Sequence, residues 1–133
     1  MPKNKKRIHK KRTKPPVFPA NLIAPIGKFL LEKEKELLRK MKLLKTEDPF
    51  VNPARLNDNA SPDTDAREQI DHLKIQAIEK AMKRQIIQIR KALTRVKIGK
   101  YGLCEKCGKM IDTDRLIIYP EATICVKCKK KEK

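Results

Sequence analysis

The sequence predicts a mainly α fold: a long antiparallel helical hairpin with coiled-coil spacing, followed by a small module built on four cysteines. Three observations carry this reading. Apolar residues recur every seven positions at Ile75, Met82, Ile89 and Val96, in a stretch free of Gly and Pro. A second apolar stripe, from Ile26 to Leu44, precedes it across a proline-bearing connector. All four cysteines, Cys104, Cys107, Cys125 and Cys128, lie in the stretch from Tyr101 to Cys128.

Composition limits what the chain can be. It has 133 residues, of which 4% are aromatic and 38% charged, with no Trp. Such a chain cannot build one large core, so helix packing and a bound metal are expected to supply much of the order. The formal net charge of +18 favours an anionic partner. No apolar run approaches the roughly 18 residues that a membrane span requires. The basic N-terminus is not followed by an apolar segment and cleavage site, so a secretory signal is not expected. The chain reads as cytoplasmic and monomeric, with no membrane partner.

Three segments follow from the pattern. Residues 1–24 read as a basic flexible arm. Between Lys3 and Lys14 there are eight Lys or Arg residues and no acid, and Pro15, Pro16 and Pro19 follow. Like charge and proline oppose packing there. Lys5, Lys6, Arg7, Lys10, Lys11 and Arg12 are the candidate nucleic-acid contacts, and a solvated tail is the plain alternative. Residues 25–99 read as the hairpin, with an acidic connector over 46–66. Its first helix is expected from near Pro25, since Pro suits a first turn, to just before Pro49. Ile26, Leu30, Leu37, Met41 and Leu44 form its stripe, Leu31 and Leu38 widen it, and Glu32, Glu34 and Glu36 fall on the wet side.

The connector reverses the charge. From Glu47 to Asp71 there are seven acids against Arg55 and Arg67, a net −5. The helix dipole favours acids in a first turn, which accounts for Asp63 and Asp65 but not for Glu47, Asp48 and Asp58. The second helix is expected to open with Ser61 as N-cap and Pro62 at N1, and to stop at Gly99. Ile78, Gln85 and Ala92 take the second heptad position, and Ile86 and Leu93 broaden the seam. About 36 residues at ~1.5 Å each make a rod of ~50 Å. His72 reads as a surface residue, and His9 as part of the arm.

Residues 100–133 read as a four-cysteine zinc finger with a basic tail, Lys127, Lys129, Lys130, Lys131 and Lys133. The spacing, C-x2-C, seventeen residues, C-x2-C, is that of a four-thiolate zinc site. Zinc takes four soft ligands in a tetrahedron, so Cys104, Cys107, Cys125 and Cys128 are the candidate ligands of one structural Zn2+. Disulfides belong to exported chains. Gly108, next to the first pair, suits a knuckle turn of positive φ. Tyr101, Leu103, Ile111, Leu116, Ile118 and Ile124 are expected to cover the metal. Four thiolates leave zinc no open position, and no nucleophile–base pair or phosphate-cradling loop appears elsewhere, so no enzyme is expected.

A helical hairpin followed by this finger resembles the DksA/TraR family of four-cysteine zinc-finger transcription regulators. The matching residues are Gly99-Lys100-Tyr101-Gly102, Cys104-Glu105-Lys106-Cys107-Gly108, Ile111, Arg115-Leu116, Pro120, Ala122 and Cys125-Val126-Lys127-Cys128. The resemblance covers roughly residues 26 to 130 and implies binding to bacterial RNA polymerase, with the hairpin inserted in the secondary channel and its acidic tip near the catalytic magnesium. The family's best-known tip pattern is Asp-x-x-Asp-x-Ala. Here Asp63-Thr64-Asp65-Ala66 differs in spacing, which makes Asp63, Asp65 and Ala66 the candidate tip residues. Two other readings stand beside it: a nucleic-acid- or ribosome-binding zinc-finger protein using the basic arm and tail, and a structural coiled-coil adaptor.

Overall fold

The computed structural model describes residues 18–51 and 62–133. The basic-arm candidates from Lys5 to Arg12, the N-cap candidate Ser61 and the connector acid Asp58 lie outside the described residues. The described residues form four helices in order: α1 (Ala20–Glu47), α2 (Pro62–Lys97), α3 (Thr113–Ile118) and α4 (Val126–Lys131). Among the described residues there is no strand, only an isolated antiparallel bridge between Leu103 and Met110.

Helices α1 and α2 form the hairpin, and their apolar faces close on each other. Leu30, Leu37 and Met41 from α1 meet Ile86, Ile89 and Ala92 from α2, all buried, with Met82, Leu93 and Val96 partly covered beside them. Neither helix can bury this stripe alone, and burying it is what holds an amphipathic helix in place. Three expectations about the stripe need correction. Leu31 and Leu38 do not widen the seam but are 48% and 39% exposed, and Ile78 is 45% exposed. Each lies at the edge of an arc that two helices alone cannot cover. Glu34 is not on the wet side either: Arg90 Nε donates to its carboxylate at 2.5 Å across the hairpin.

Helix α1 also starts earlier than its proline predicts, so that Pro25 falls inside the helix. Pro25 has no N–H to donate there and disfavours the preceding turn. The extra turn survives because the chain just before it is anchored. Phe18 is buried and meets the Tyr101 ring edge-on, with centroids 5.2 Å apart. A tertiary contact with the C-terminal module thus overrides a local helix signal. The end of α2 follows the sequence. Gly99 sits at φ 75°, its N–H bonds to Val96 O, and the Lys100 N–H reaches Arg95 O at 2.9 Å. That is a Schellman stop on a left-handed glycine.

At the far end of the hairpin, His72 is not a simple surface residue. Its Nδ1 lies 2.7 Å from Oδ2 of Asp48, and the Phe50 ring packs edge-on against it at 4.5 Å. Asp48 is buried and also accepts from the Phe50 N–H at 3.0 Å. This cluster fixes the chain as it leaves α1 and gives Asp48 a structural role, so its acidity needs no external partner.

The module of residues 99–133 packs against the opposite end of the hairpin through a buried acid. Glu121 has no solvent exposure and pairs with Lys33 of α1 at 2.9 Å. Gln88 of α2 donates to Glu121 O and to Thr123 Oγ1, each at 2.9 Å. One loop therefore holds both helices at once. Breaking a buried pair from one side leaves a charge uncompensated, whereas replacing both partners by apolar groups is far milder. Glu121→Ala is expected to lower stability by about 2–4 kcal/mol, and Lys33→Met with Glu121→Leu to regain most of it. Denaturant midpoints of the three proteins check this; an equal loss in the single and double variants would show that the charge pair is not what matters.

Candidate metal centre and its support

Two knuckles bring the thiols together. In the first, the Cys104 N–H bonds to Lys109 O at 2.8 Å and the Gly108 N–H to Cys104 O at 3.0 Å, with Gly108 at φ 68° as its position predicts. The second knuckle opens α4: Cys125 is its N-cap, and the thiol accepts from the Cys128 N–H at 3.5 Å. The Glu105 N–H bonds to Thr123 O at 2.9 Å and ties the two knuckles together. The result is that the four Sγ atoms lie within 4.8 Å of one another. Cys104 is buried, Cys125 and Cys128 are half-buried, and Cys107 is exposed.

The donor set fits zinc on its own chemistry. Four sulfurs from two C-x2-C turns make a closed tetrahedral set, and backbone N–H groups already favour thiolate at part of it. The Cys125 N–H points to Cys104 Sγ at 3.4 Å. Burial opposes ionisation of Cys104, but hydrogen bonds from backbone groups at Cys107, Cys125 and Lys106 outweigh it and bring the thiol down to about 6. The backbone at Cys128 lowers Cys125 as well. Such N–H···S bonds are the outer support that orients metal ligands and stabilises their charge.

Around the sulfurs lies a small core. Tyr101, Ile111, Leu116 and Ala122 are buried, and Ile124 is partly covered. Ile118 is not among them. It is 84% exposed, as is Ile117 at 73%, because α3 is only six residues long and turns just one face inward. Asp112 caps α3 by accepting the Asp114 N–H. Arg95 of α2 donates through Nη2 to Leu103 O at 2.7 Å and holds the first knuckle against the hairpin.

The remaining predicted residues lie elsewhere. Asp63, Asp65 and Ala66 are all exposed in the first turn of α2, at the end of the hairpin away from the cysteines. The structure does not bring them near the metal centre. The tail lysines Lys129, Lys130 and Lys131 form the last turn of α4 and are exposed.

Residues 99–133 match the model of the prokaryotic dksA/traR C4-type zinc finger. This module is a DksA/TraR-family zinc finger. One structural Zn2+ is therefore its cofactor. An uncharacterized protein of Aquifex aeolicus (strain VF5) is 42% identical over 41 residues, covering 31% of this chain and 28% of that protein's length. The fold beyond the finger is that of DksA proteins. It is similar to transcription factor DksA2 from Pseudomonas aeruginosa, with TM-score 0.67 and 22% identity, over 85% of this chain and 84% of the other. It is also similar to the RNA polymerase binding protein and transcriptional regulator Dks from Chlamydia trachomatis L2 (LGV434), with TM-score 0.53 and 20% identity, over 86% and 91%. The hairpin and finger together have a DksA-like fold, and the family match itself is to residues 99–133.

Sequence reasoning missed the residues that attach this finger to its hairpin: Phe18, Lys33, Gln88 and Glu121. Only Glu121 carried a signal, as one acid within the apolar-leaning run Pro120 to Ile124. Two outcomes test the site. Protein prepared under reducing conditions is expected to hold one zinc per chain, and Cys107→Ser to lose it. Structural zinc is worth ~10–16 kcal/mol in finger peptides, so residues 101–128 should lose protection from hydrogen exchange while α1 and α2 keep most of their helical signal.

The second outcome concerns Tyr101. Its hydroxyl donates to Pro120 O at 2.8 Å, and burial, aided by the charge of Glu121, pushes it from 10.0 up to about 12. A raised folded-state value means stability is intact below pH 10 and falls as the pH rises from 10 towards 12. Tyr101→Phe is expected to be less stable at neutral pH by roughly 1 kcal/mol for the lost hydrogen bond, yet to lose less between those two values. Parallel slopes of stability against pH for the two proteins would refute it.

Proposed function

We propose that this protein is a regulator of transcription that binds RNA polymerase and presents the end of its hairpin to the secondary channel. The observation that carries this reading is the placement of charge. In a chain of net charge +18, the connector end of the hairpin is acidic, and Asp63 and Asp65 stand exposed in the first turn of α2. At ~1.5 Å per residue, the 36 residues of α2 form a rod of ~50 Å. The finger lies at one end of that rod and the acidic turn at the other. A rod of this length and charge suits a buried site where magnesium gathers acidic groups. The likeness in fold to polymerase-binding and transcription-factor proteins supports the same reading.

In this account Cys104, Cys107, Cys125 and Cys128 hold the zinc, and the zinc is structural. The chain then catalyses nothing itself and acts in the cytoplasm as a monomer. Asp63 and Asp65 act at the tip, with Ala66 beside them on the same turn. Binding rests on the finger and the rod. The division of the chain into a basic arm, a hairpin and a finger then separates three jobs: attraction, reach and anchorage.

A nucleic-acid- or ribosome-binding protein is the second reading, favoured by the exposed lysines of α4 and by the basic sequence before Phe18. The acidic tip separates the two, since phosphate binding gains nothing from negative charge at the end of the rod. Replacing Asp63 and Asp65 by Asn removes two charges and costs ~0.3–1 kcal/mol each through the helix dipole. The double variant is expected to stay folded and to bind purified polymerase as the parent does, while its effect on transcription in a purified assay disappears. Unchanged regulation would remove these two residues from the site.

A further inference from the structure

One long flank of the hairpin has a character that neither the finger nor the tip explains. Lys28, Leu31, Lys35, Leu38 and Lys42 follow one another along α1 at intervals of three and four residues, so they stack as a single stripe. All are exposed. The finger docks on the opposite flank, through Lys33 and Gln88, and leaves this one open. Most acids near the stripe are already engaged. Glu34 is held by Arg90, Glu36 by Lys40 at 2.9 Å, and Glu79 by Lys45 at 3.5 Å and Lys83 at 3.0 Å. Glu32 borders the lysines on their outer side and can offset one of the three at most. The stripe therefore keeps a positive surplus.

At the finger end the stripe runs into a groove of ≈ 480 Å³, lined by Gly27, Lys28, Leu31, Leu93, Val96 and Lys97 among others. Gly27 forms part of its floor, where an added Cβ would stand 3.5 Å from Val96 Cγ1. The groove is thus apolar along its centre line, with a lysine from each helix at its edges.

We propose that this flank is a docking surface for an acidic amphipathic helix of a partner protein, which lies along α1 as a third helix of the coil. The register decides the class of occupant. Leu31 and Leu38 are one heptad apart, the repeat that a facing helix presents at its own apolar seam. The lysines fall beside that seam, where facing glutamates select a partner in coiled coils. A nucleic acid would use the lysines but has nothing to place on Leu31, Leu38 and the groove. A second copy of this chain would bring the same lysines face to face, and like charges repel. The inference does not depend on the polymerase reading, because it concerns a different surface and is tested without polymerase.

The test uses the full zinc-loaded chain and a labelled synthetic helix of about 28 residues, long enough to match α1, with Leu at the seam of each heptad and Glu beside it. Three probes are compared by fluorescence anisotropy: this peptide, a peptide of the same composition with the heptad order scrambled, and a single-stranded oligonucleotide of matched charge. The heptad peptide is expected to bind tightest. Lys28→Glu/Lys35→Glu/Lys42→Glu and, separately, Leu31→Gln/Leu38→Gln are each expected to weaken it by about tenfold or more, a coupling of the size found for close charge pairs and buried seam residues. Both variants alter exposed positions only, and retained helix content and zinc confirm that they fold. Equal binding of ordered and scrambled peptides would overturn the proposal. So would tighter binding of the oligonucleotide that is lost with the lysines but not the leucines, or a dimer in sedimentation that the leucine variant abolishes.

Discussion

Four thiols converging to within 4.8 Å are the constraint on which the rest depends. The finger contains no strand and only two helices, each six residues long. Helices of that length do not persist alone. What fixes them is their attachment to the rest of the module: α4 begins on Cys125 itself, and α3 is held by Leu116, which is buried in the small core. A metal at the sulfurs closes both knuckles at once, and that closure places residues 119–123 where they meet the hairpin.

That meeting joins the finger to the hairpin through specific contacts. The hairpin seam buries few large side chains, and several leucines and isoleucines of α1 and α2 remain exposed. At its finger end it gains a buried carboxylate, a donating glutamine and an edge-on aromatic pair. Each of these is specific to one geometry. Glu121 reaches Lys33 only if the loop lies over α1, and Gln88 reaches the same loop only if α2 lies beside it. Glu121 Oε2 nonetheless has no hydrogen-bond partner among the described residues, so the acid is less than fully compensated. Such a group favours one arrangement over others more than it adds stability. An angle fixed between finger and rod is what a protein needs if it grips with one end and reaches with the other.

Much of this was legible in the sequence, for identifiable physical reasons. Heptad spacing marks the seam because a helix repeats its face every 3.6 residues, and Leu30, Leu37, Ile89 and Ala92 are buried as that spacing implies. Gly99 and Gly108 take positive φ where the helix stop and the knuckle required it. Cysteine spacing located the metal set because two residues between ligands fit one turn. What could not be read were relations between segments far apart in sequence. Nothing local marks Lys33 as the partner of Glu121, 88 positions away, or Phe18 as the support of a helix start that Pro25 argues against. His72 reads as a surface residue, and Asp48 as an acid the helix dipole does not explain, until the hairpin folds and brings them together.

The electrostatics follow from the same architecture. Helices α1 and α2 carry many more bases than a two-helix seam can neutralise, and cross-hairpin pairs such as Glu34–Arg90 and Glu79–Lys45 use up acids along the rod. Asp48 is taken by His72. The exposed acids Asp63 and Asp65 therefore stand out against a positive background. Surface ion pairs add little to stability in water, so this arrangement is poorly explained as a way of holding the hairpin together. It does give the rod a direction. In the field of an anionic partner, the positive shaft is drawn in and the negative end is pushed away from phosphate-rich surfaces, toward any site where a cation waits. Orientation of this kind acts on encounter rather than on affinity, and it requires only that the two ends of the hairpin differ in charge, as they do here.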